Sequence, residues 1–196
     1  MLEVARSELI LGGQRSGKSR RAELIARQWL DASPDHKAVM IATAQPWDDE
    51  MRERITRHQR DRAERVPGMT TVEEPREPAQ AITRAGDAQT LIVVDCLTLW
   101  LTNWLMPAEY PDLHMQKETV ALYPRVQAAM LLEAIQGSPG PMVLVGNEIG
   151  LGVIPMGRET RDFVDALGRL NQEVAQACER VTFMAAGLPL TLKGQP

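Results

Sequence analysis

At 196 residues, one domain can bury roughly 70% of the surface its unfolded chain would expose, so residues 1–196 are expected to form a single domain. The 22 basic and 26 acidic residues are interspersed and leave a formal net charge of -4, which provides no broad cationic face for nucleic acid. The most apolar run, 91–106, is shorter than the roughly 20 residues a membrane helix needs and contains Asp95, so no membrane insertion is expected.

The first apolar run, 8–12, has the character of a buried parallel strand, and helical periodicity follows over 18–31 with Ala22, Ile25, Ala26 and Trp29 inward. A second strand spans 38–43. The chain then breaks at Pro46 and restarts as a helix with Asp48 or Asp49 as N-cap, placing Met51, Ile55 and His58 on one face. "TTVEE" at 70–74 adds a short strand, and 91–95 another that leads into a helix through "LWLTNWL". From Pro107 to Pro124, with Pro111 between, mixed polarity marks a mobile excursion. A strand at 142–146 precedes a helix over 158–178 whose inward residues are Phe163, Leu167, Leu170, Val174 and Cys178. The strand at 181–186 is followed, after a tight turn, by "LPLTLK" at 188–193, which most simply returns antiparallel. This is the rhythm of a doubly wound α/β sheet with about six parallel strands and one antiparallel edge strand. Cys96 and Cys178, without CxxC spacing or a secretory signal pattern, are expected to be buried thiols in a reducing cytoplasm.

Between the first strand and the first helix lies "GGQRSGKS", residues Gly12, Gly13, Gln14, Arg15, Ser16, Gly17, Lys18 and Ser19. It satisfies G-x-x-x-x-G-K-[ST], in which glycines let backbone N–H groups curve around phosphate oxygens while the lysine reaches the outer phosphates. The dipole of the following helix favours the same anion, and Ser19 is placed to ligate Mg2+. The fold is therefore expected to be P-loop NTPase-like. Asp95, ending an apolar strand, is either the acidic residue that orients Mg2+ or its water, or an ordinary strand-end aspartate.

The helix after Pro46 carries His58 among Arg54, Arg57, Arg60 and Arg62. Arginines so placed could neutralise a triphosphate; equally, the segment reads as a solvated, charge-laced helix with an incidental histidine. His36 and His114 lie in polar loops and receive no role. "VLVGNEIGLGVIP" sets Asn147, Glu148 and a glycine pair at a strand's carboxyl end, either for close approach of a large substrate or as a tight strand-to-helix turn. Trp100 and Trp104, one helical turn apart, suit core or subunit interface better than contact with a ligand.

Four blocks in this order, "GGQRSGKS", "IATAQPWDDEMRERITRH", "VVDCLTLWLTNWL" and "NEIGLGVIPMGRETRDFVDALGRLNQ", resemble the bifunctional adenosylcobinamide kinase and adenosylcobinamide-phosphate guanylyltransferase family of cobalamin biosynthesis, from about residue 9 to 193. The last block is the most family-specific. The resemblance implies that a nucleoside triphosphate, ATP or GTP, phosphorylates adenosylcobinamide. GTP then guanylylates a histidine, and the GMP passes to adenosylcobinamide phosphate. The family's R-I-x-x-H arrangement falls on Arg54, Ile55 and His58. Its nucleotide contacts fall on the phosphate loop, on Thr43, Ala44 and Gln45, on Gln59, Arg60, Asp61 and Arg62, on Glu73, and on Asp95. It also implies a homotrimer. Two departures are Val164, where the family pattern has arginine, and "QPWDDE", which alters the entry to the histidine helix.

The chemistry suits these residues. With unperturbed pKa values of about 6.5 and 10.4, roughly nine-tenths of imidazole but only about a thousandth of lysine amine is free at pH 7.5. The nucleophile toward the α-phosphate is therefore expected to be His58, with Lys18 stabilising charge on the phosphates. Two other readings stand beside this one: a single-function small-molecule kinase, and a nucleotide-gated binding module without transfer chemistry.

Overall fold

The computed structural model describes residues 4–106 and 117–195. Seven strands, β1 (Ser7–Gly12), β2 (Lys37–Ala42), β3 (Met69–Glu73), β4 (Thr90–Asp95), β5 (Met142–Val145), β6 (Arg180–Ala185) and β7 (Leu188–Lys193), form one sheet in the order β3-β2-β4-β5-β1-β6-β7. The first six are mutually parallel and β7 pairs antiparallel with β6 at the edge, as the sequence pattern predicts. Every residue of β1 and β5 is buried because helices cover both faces, which is why these strands read as continuous apolar runs. The edge strands β3 and β7 are largely exposed.

The helices are α1 (Lys18–Ala32), α2 (Asp49–Arg65), α3 (Pro78–Ala85), α4 (Leu97–Leu105), α5 (Lys117–Gly137) and α6 (Arg158–Ala177). On one face α1 packs Ala22, Ile25 and Ala26 against Ile10, Met40, Val93 and Val143. The other face is covered by α3, α4, α5 and α6 around Leu9, Ile92, Trp100, Leu144, Leu167 and Val174. Burying one large apolar side chain is worth about 1.5–3 kcal/mol, and among the described residues at least a dozen are fully enclosed. Trp100 is among them, which bears out its core reading; Trp104 is half-buried beside it. Both cysteines are buried and unpaired in disulfides.

The excursion expected over Pro107–Pro124 lies outside the described residues from 107 to 116. From Lys117 the backbone is helical, so the expected loop ends earlier and Pro124 sits inside α5. Trp29, expected inward, is only half-buried: its ring stacks on His36 at 3.6 Å, and its carbonyl lies 2.6 Å from His36 Nδ1. Among the described residues no helix is long and apolar enough to cross a membrane.

Candidate active site

All the strands that open onto the site end at the same edge of the sheet, where parallel α/β sheets bind ligands. The loop from Gly12 to Ser19 links β1 to α1. A Cβ on Gly12 (φ 152°) would collide with the Met184 carbonyl and come within 2.7 Å of Ser16 Oγ, so only glycine fits. Arg15 and Gly17 adopt positive φ (55° and 101°), which curls the loop into a backbone N–H cradle. Gly17 caps α1 without a side-chain hydrogen bond, leaving first-turn N–H groups for an anion. Ser16 Oγ is buried without a hydrogen-bond partner, and Lys18 Nζ donates to the Gly13 carbonyl at 2.6 Å. Burial lowers the Lys18 pKa from its ordinary value; Cys96 and Asp95 oppose that shift and Arg54 adds to it. A buried ammonium and an unpartnered hydroxyl in a glycine cradle suit a phosphate ligand.

The ends of β2 and β4 are pinned together beside this loop. Thr43 N donates to the Asp95 carbonyl at 3.0 Å, while Thr43 Oγ1 donates to the Cys96 carbonyl at 2.7 Å and accepts from Cys96 N at 2.8 Å. Asn103 Nδ2 donates to the carbonyls of Thr43 and Pro75 at 2.8 and 2.9 Å. Trp100 and Trp104 both donate to the Arg76 carbonyl, at 2.9 and 3.1 Å. One short helix thus clamps the chain after β2 to the chain after β3. Burial, with Asp95 next to it, pushes the Cys96 thiol up to about 12, so it stays protonated at neutral pH.

Asp48 caps α2, accepting from Met51 N at 2.7 Å, and acidic residues in the first turn with Arg62 and Arg65 in the last complement its dipole. With the Gln14 amide oxygen oriented toward the guanidinium, Arg54 donates to it from both terminal nitrogens, at 2.9 and 3.2 Å. His58 follows one turn later on the same side of the helix, exposed, and makes no hydrogen bond or ion pair among the described residues. Farther along, Gln59 donates to Glu73 at 3.1 Å and the buried Arg62 donates to Thr71 at 3.1 Å. These residues line a pocket of about 330 Å3 between α2 and β3.

Most of the residues singled out in the sequence therefore fall into two groups. Gly12 to Ser19, Thr43 and Asp95 converge at the phosphate loop, while Gln59, Arg62 and Glu73 share the α2–β3 pocket. Arg60 and Asp61 do not line that pocket: they lie 3.8 Å from each other, and Asp61 also pairs with Arg65. Val164 lines a separate groove along α6. Sequence reasoning missed Asn103 as the pin of Thr43; the signal was one amide amid tryptophans and leucines in "WLTNWL". It also missed the direct contact between Arg54 and Gln14, which no periodicity encodes.

Comparison with known proteins identifies the family. The family model described as cobinamide kinase / cobinamide phosphate guanyltransferase matches residues 8–192. The bifunctional adenosylcobalamin biosynthesis protein CobP of Pseudomonas aeruginosa is 44% identical over 189 residues, covering 96% of this chain and 98% of that protein. The corresponding CobU proteins of Escherichia coli and Salmonella typhimurium are 34% and 33% identical, each over 94% of this chain and 98% of theirs. A match over nearly the whole chain, together with a glycine cradle and a histidine helix tied to it, shows that this chain belongs to the cobinamide kinase / cobinamide phosphate guanyltransferase family.

Proposed function

We propose that this chain phosphorylates adenosylcobinamide with ATP or GTP. It then transfers GMP from GTP, through covalent attachment to His58, onto adenosylcobinamide phosphate, giving adenosylcobinamide-GDP for cobalamin biosynthesis. The observation that carries the reading is the Arg54–Gln14 contact: it ties the His58 helix to the phosphate loop, with the imidazole one turn beyond and free of other partners among the described residues. A charge-laced helix without this role has no need of that tie.

In the kinase step the substrate hydroxyl attacks the γ-phosphorus and the nucleoside diphosphate leaves. In the second step a ring nitrogen of His58 attacks the α-phosphorus of GTP and the bond to pyrophosphate breaks. The terminal phosphate oxygen of adenosylcobinamide phosphate then attacks the same phosphorus, breaking the P–N bond and restoring the imidazole. Lys18 and the loop N–H groups stabilise charge on the phosphate oxygens throughout. Gln59, Arg62 and Glu73 serve the guanine nucleoside, the Glu73 carboxylate accepting from base N–H groups.

Ser19 and Asp95 offer the hard oxygen donors that Mg2+ prefers, and its charge would offset that on the phosphates. Two such oxygens leave most of the shell to phosphate and water, as is usual for Mg2+ on a nucleotide. A cytoplasmic, homotrimeric enzyme completes the reading.

The test is incubation with α-labelled GTP, followed by denaturation. Wild type should carry an acid-labile label that His58→Ala lacks, while His58→Ala still passes γ-phosphate to adenosylcobinamide. A wild-type protein that never carries label but phosphorylates normally is a single-function kinase; one that binds GTP without turnover is a binding module.

A further inference from the structure

A groove of about 740 Å3 runs between the segment 149–155 and the outward side of α6. One wall is apolar and open to solvent, with Val153 95% and Ile154 76% exposed. The other carries three arginines and two aspartates of α6, with Gln172 beside them. Three glycines, Gly150, Gly152 and Gly168, also line it. Neither Gly152 nor Gly168 adopts positive φ, and among the described residues a Cβ on either would meet no non-neighbouring atom within 4 Å. Glycine within a helix weakens it relative to alanine. At Gly168 neither backbone geometry nor packing within the chain calls for that cost, whereas room for a body outside the chain does.

The segment is held rather than loose. Glu148 N donates to the Gly12 carbonyl at 3.1 Å, joining the near end to the phosphate loop, and Asn171 Nδ2 donates to the Asn147 carbonyl at 3.1 Å. At the far end Arg161 donates to the carbonyls of Pro155 and Met156 at 3.0 and 2.6 Å.

We infer that this groove binds the corrinoid. The inference rests on the proposed function, under which a corrinoid must deliver its hydroxyl-bearing arm to the phosphate loop. A corrin ring presents broad apolar faces rimmed by amide arms, and each amide both donates and accepts hydrogen bonds. An apolar wall opposite interspersed guanidinium, carboxylate and amide groups matches that chemistry. The two aspartates disfavour a polyphosphate here, and five charged residues in one wall are unlike the charge-depleted centre of a protein interface. The volume lies within the usual range of ligand clefts.

The test titrates adenosylcobinamide by equilibrium dialysis against wild type, Gly168→Ala, Gly168→Leu and Val153→Asp. Melting temperature and sedimentation mass are measured alongside. Gly168→Ala should melt about 2–4 °C higher, since the helix gains and nothing in the chain is displaced. Gly168→Leu and Val153→Asp should each weaken binding at least about tenfold at unchanged mass. Wild-type affinity in both, or a lower melting temperature in Gly168→Ala, overturns the assignment. So does a loss of mass that accompanies the loss of binding, since a second copy then covers the groove. Wild type that carries the GTP-derived label and binds adenosylcobinamide, with Gly168→Leu and Val153→Asp binding it equally well, overturns the groove alone. Binding that depends on Gly168 without any label overturns the histidine chemistry alone.

Discussion

Lys18 is held in a conflict that a ligand resolves. Its ammonium is buried against the Gly13 carbonyl, and burial lowers its pKa despite Asp95 and Cys96 nearby. Because the folded value is depressed below the ordinary 10.5, the unfolded chain binds more protons between the two values, and stability rises as pH climbs through that window. At neutral pH the charged lysine is a cost to the unliganded fold. Phosphate oxygens in the cradle reverse the sign, because anions within a few ångströms favour the ammonium. GTP binding should therefore take up protons at alkaline pH, in the window between the depressed value and the ordinary lysine range. Calorimetry in two buffers of different ionisation enthalpy, scanned through that alkaline window, measures this directly; equal apparent enthalpies throughout would show that the phosphates do not reach Lys18.

Buried charge also organises the elements. Glu8 in β1, almost fully buried, accepts from Arg21 of α1 at 2.9 Å and from Thr182 of β6 at 2.7 Å, and lies 3.5 Å from Arg180. One carboxylate thus links the strand before the phosphate loop to the helix after it and to the neighbouring strand. Glu8→Ala leaves the Arg21 guanidinium buried without its carboxylate, and urea unfolding should show a loss of about 3–5 kcal/mol. Pairing Glu8→Leu with Arg21→Met should cost less than the sum of the single changes. The contrast between these links and the elements they join explains what was legible in the sequence. Parallel strands covered on both faces appear as apolar runs, so β1, β2, β4, β5 and β6 stood out with ends within about a residue, and the phosphate loop with them. Glu8 in "SELIL", Asn103 in "WLTNWL" and Arg54 facing Gln14 act singly across long separations, and a periodic pattern does not register one polar side chain. The split of the nucleotide residues into two groups was hidden for the same reason: which side of α2 faces the loop and which faces β3 depends on how the helix docks.

For the whole molecule, the consequence is that ligand binding and global stability share the same ties. The phosphate loop is bound to its neighbours by Glu148 N to the Gly12 carbonyl, Gly187 N to the Ser16 carbonyl, and Lys18 to Asp95 through charge, while Thr43 joins β2 to β4. These contacts span the ends of β1, β2, β4, β5 and the β6–β7 turn, so the loop cannot open without loosening most of the sheet's ligand edge. A ligand that binds only the closed arrangement should then stabilise the entire fold instead of ordering a local flap. At GTP concentrations about a hundredfold above its Kd, linkage gives about 2.7 kcal/mol. For a chain of this size that corresponds to a rise in Tm of roughly 5–10 °C. Scanning calorimetry with GTP and Mg2+ should show one transition moving upward without broadening, and Lys18→Ala should lose most of the shift. A second transition that stays in place as GTP is added would mean that the phosphate loop and the remaining sheet unfold separately, and that these contacts do not couple them.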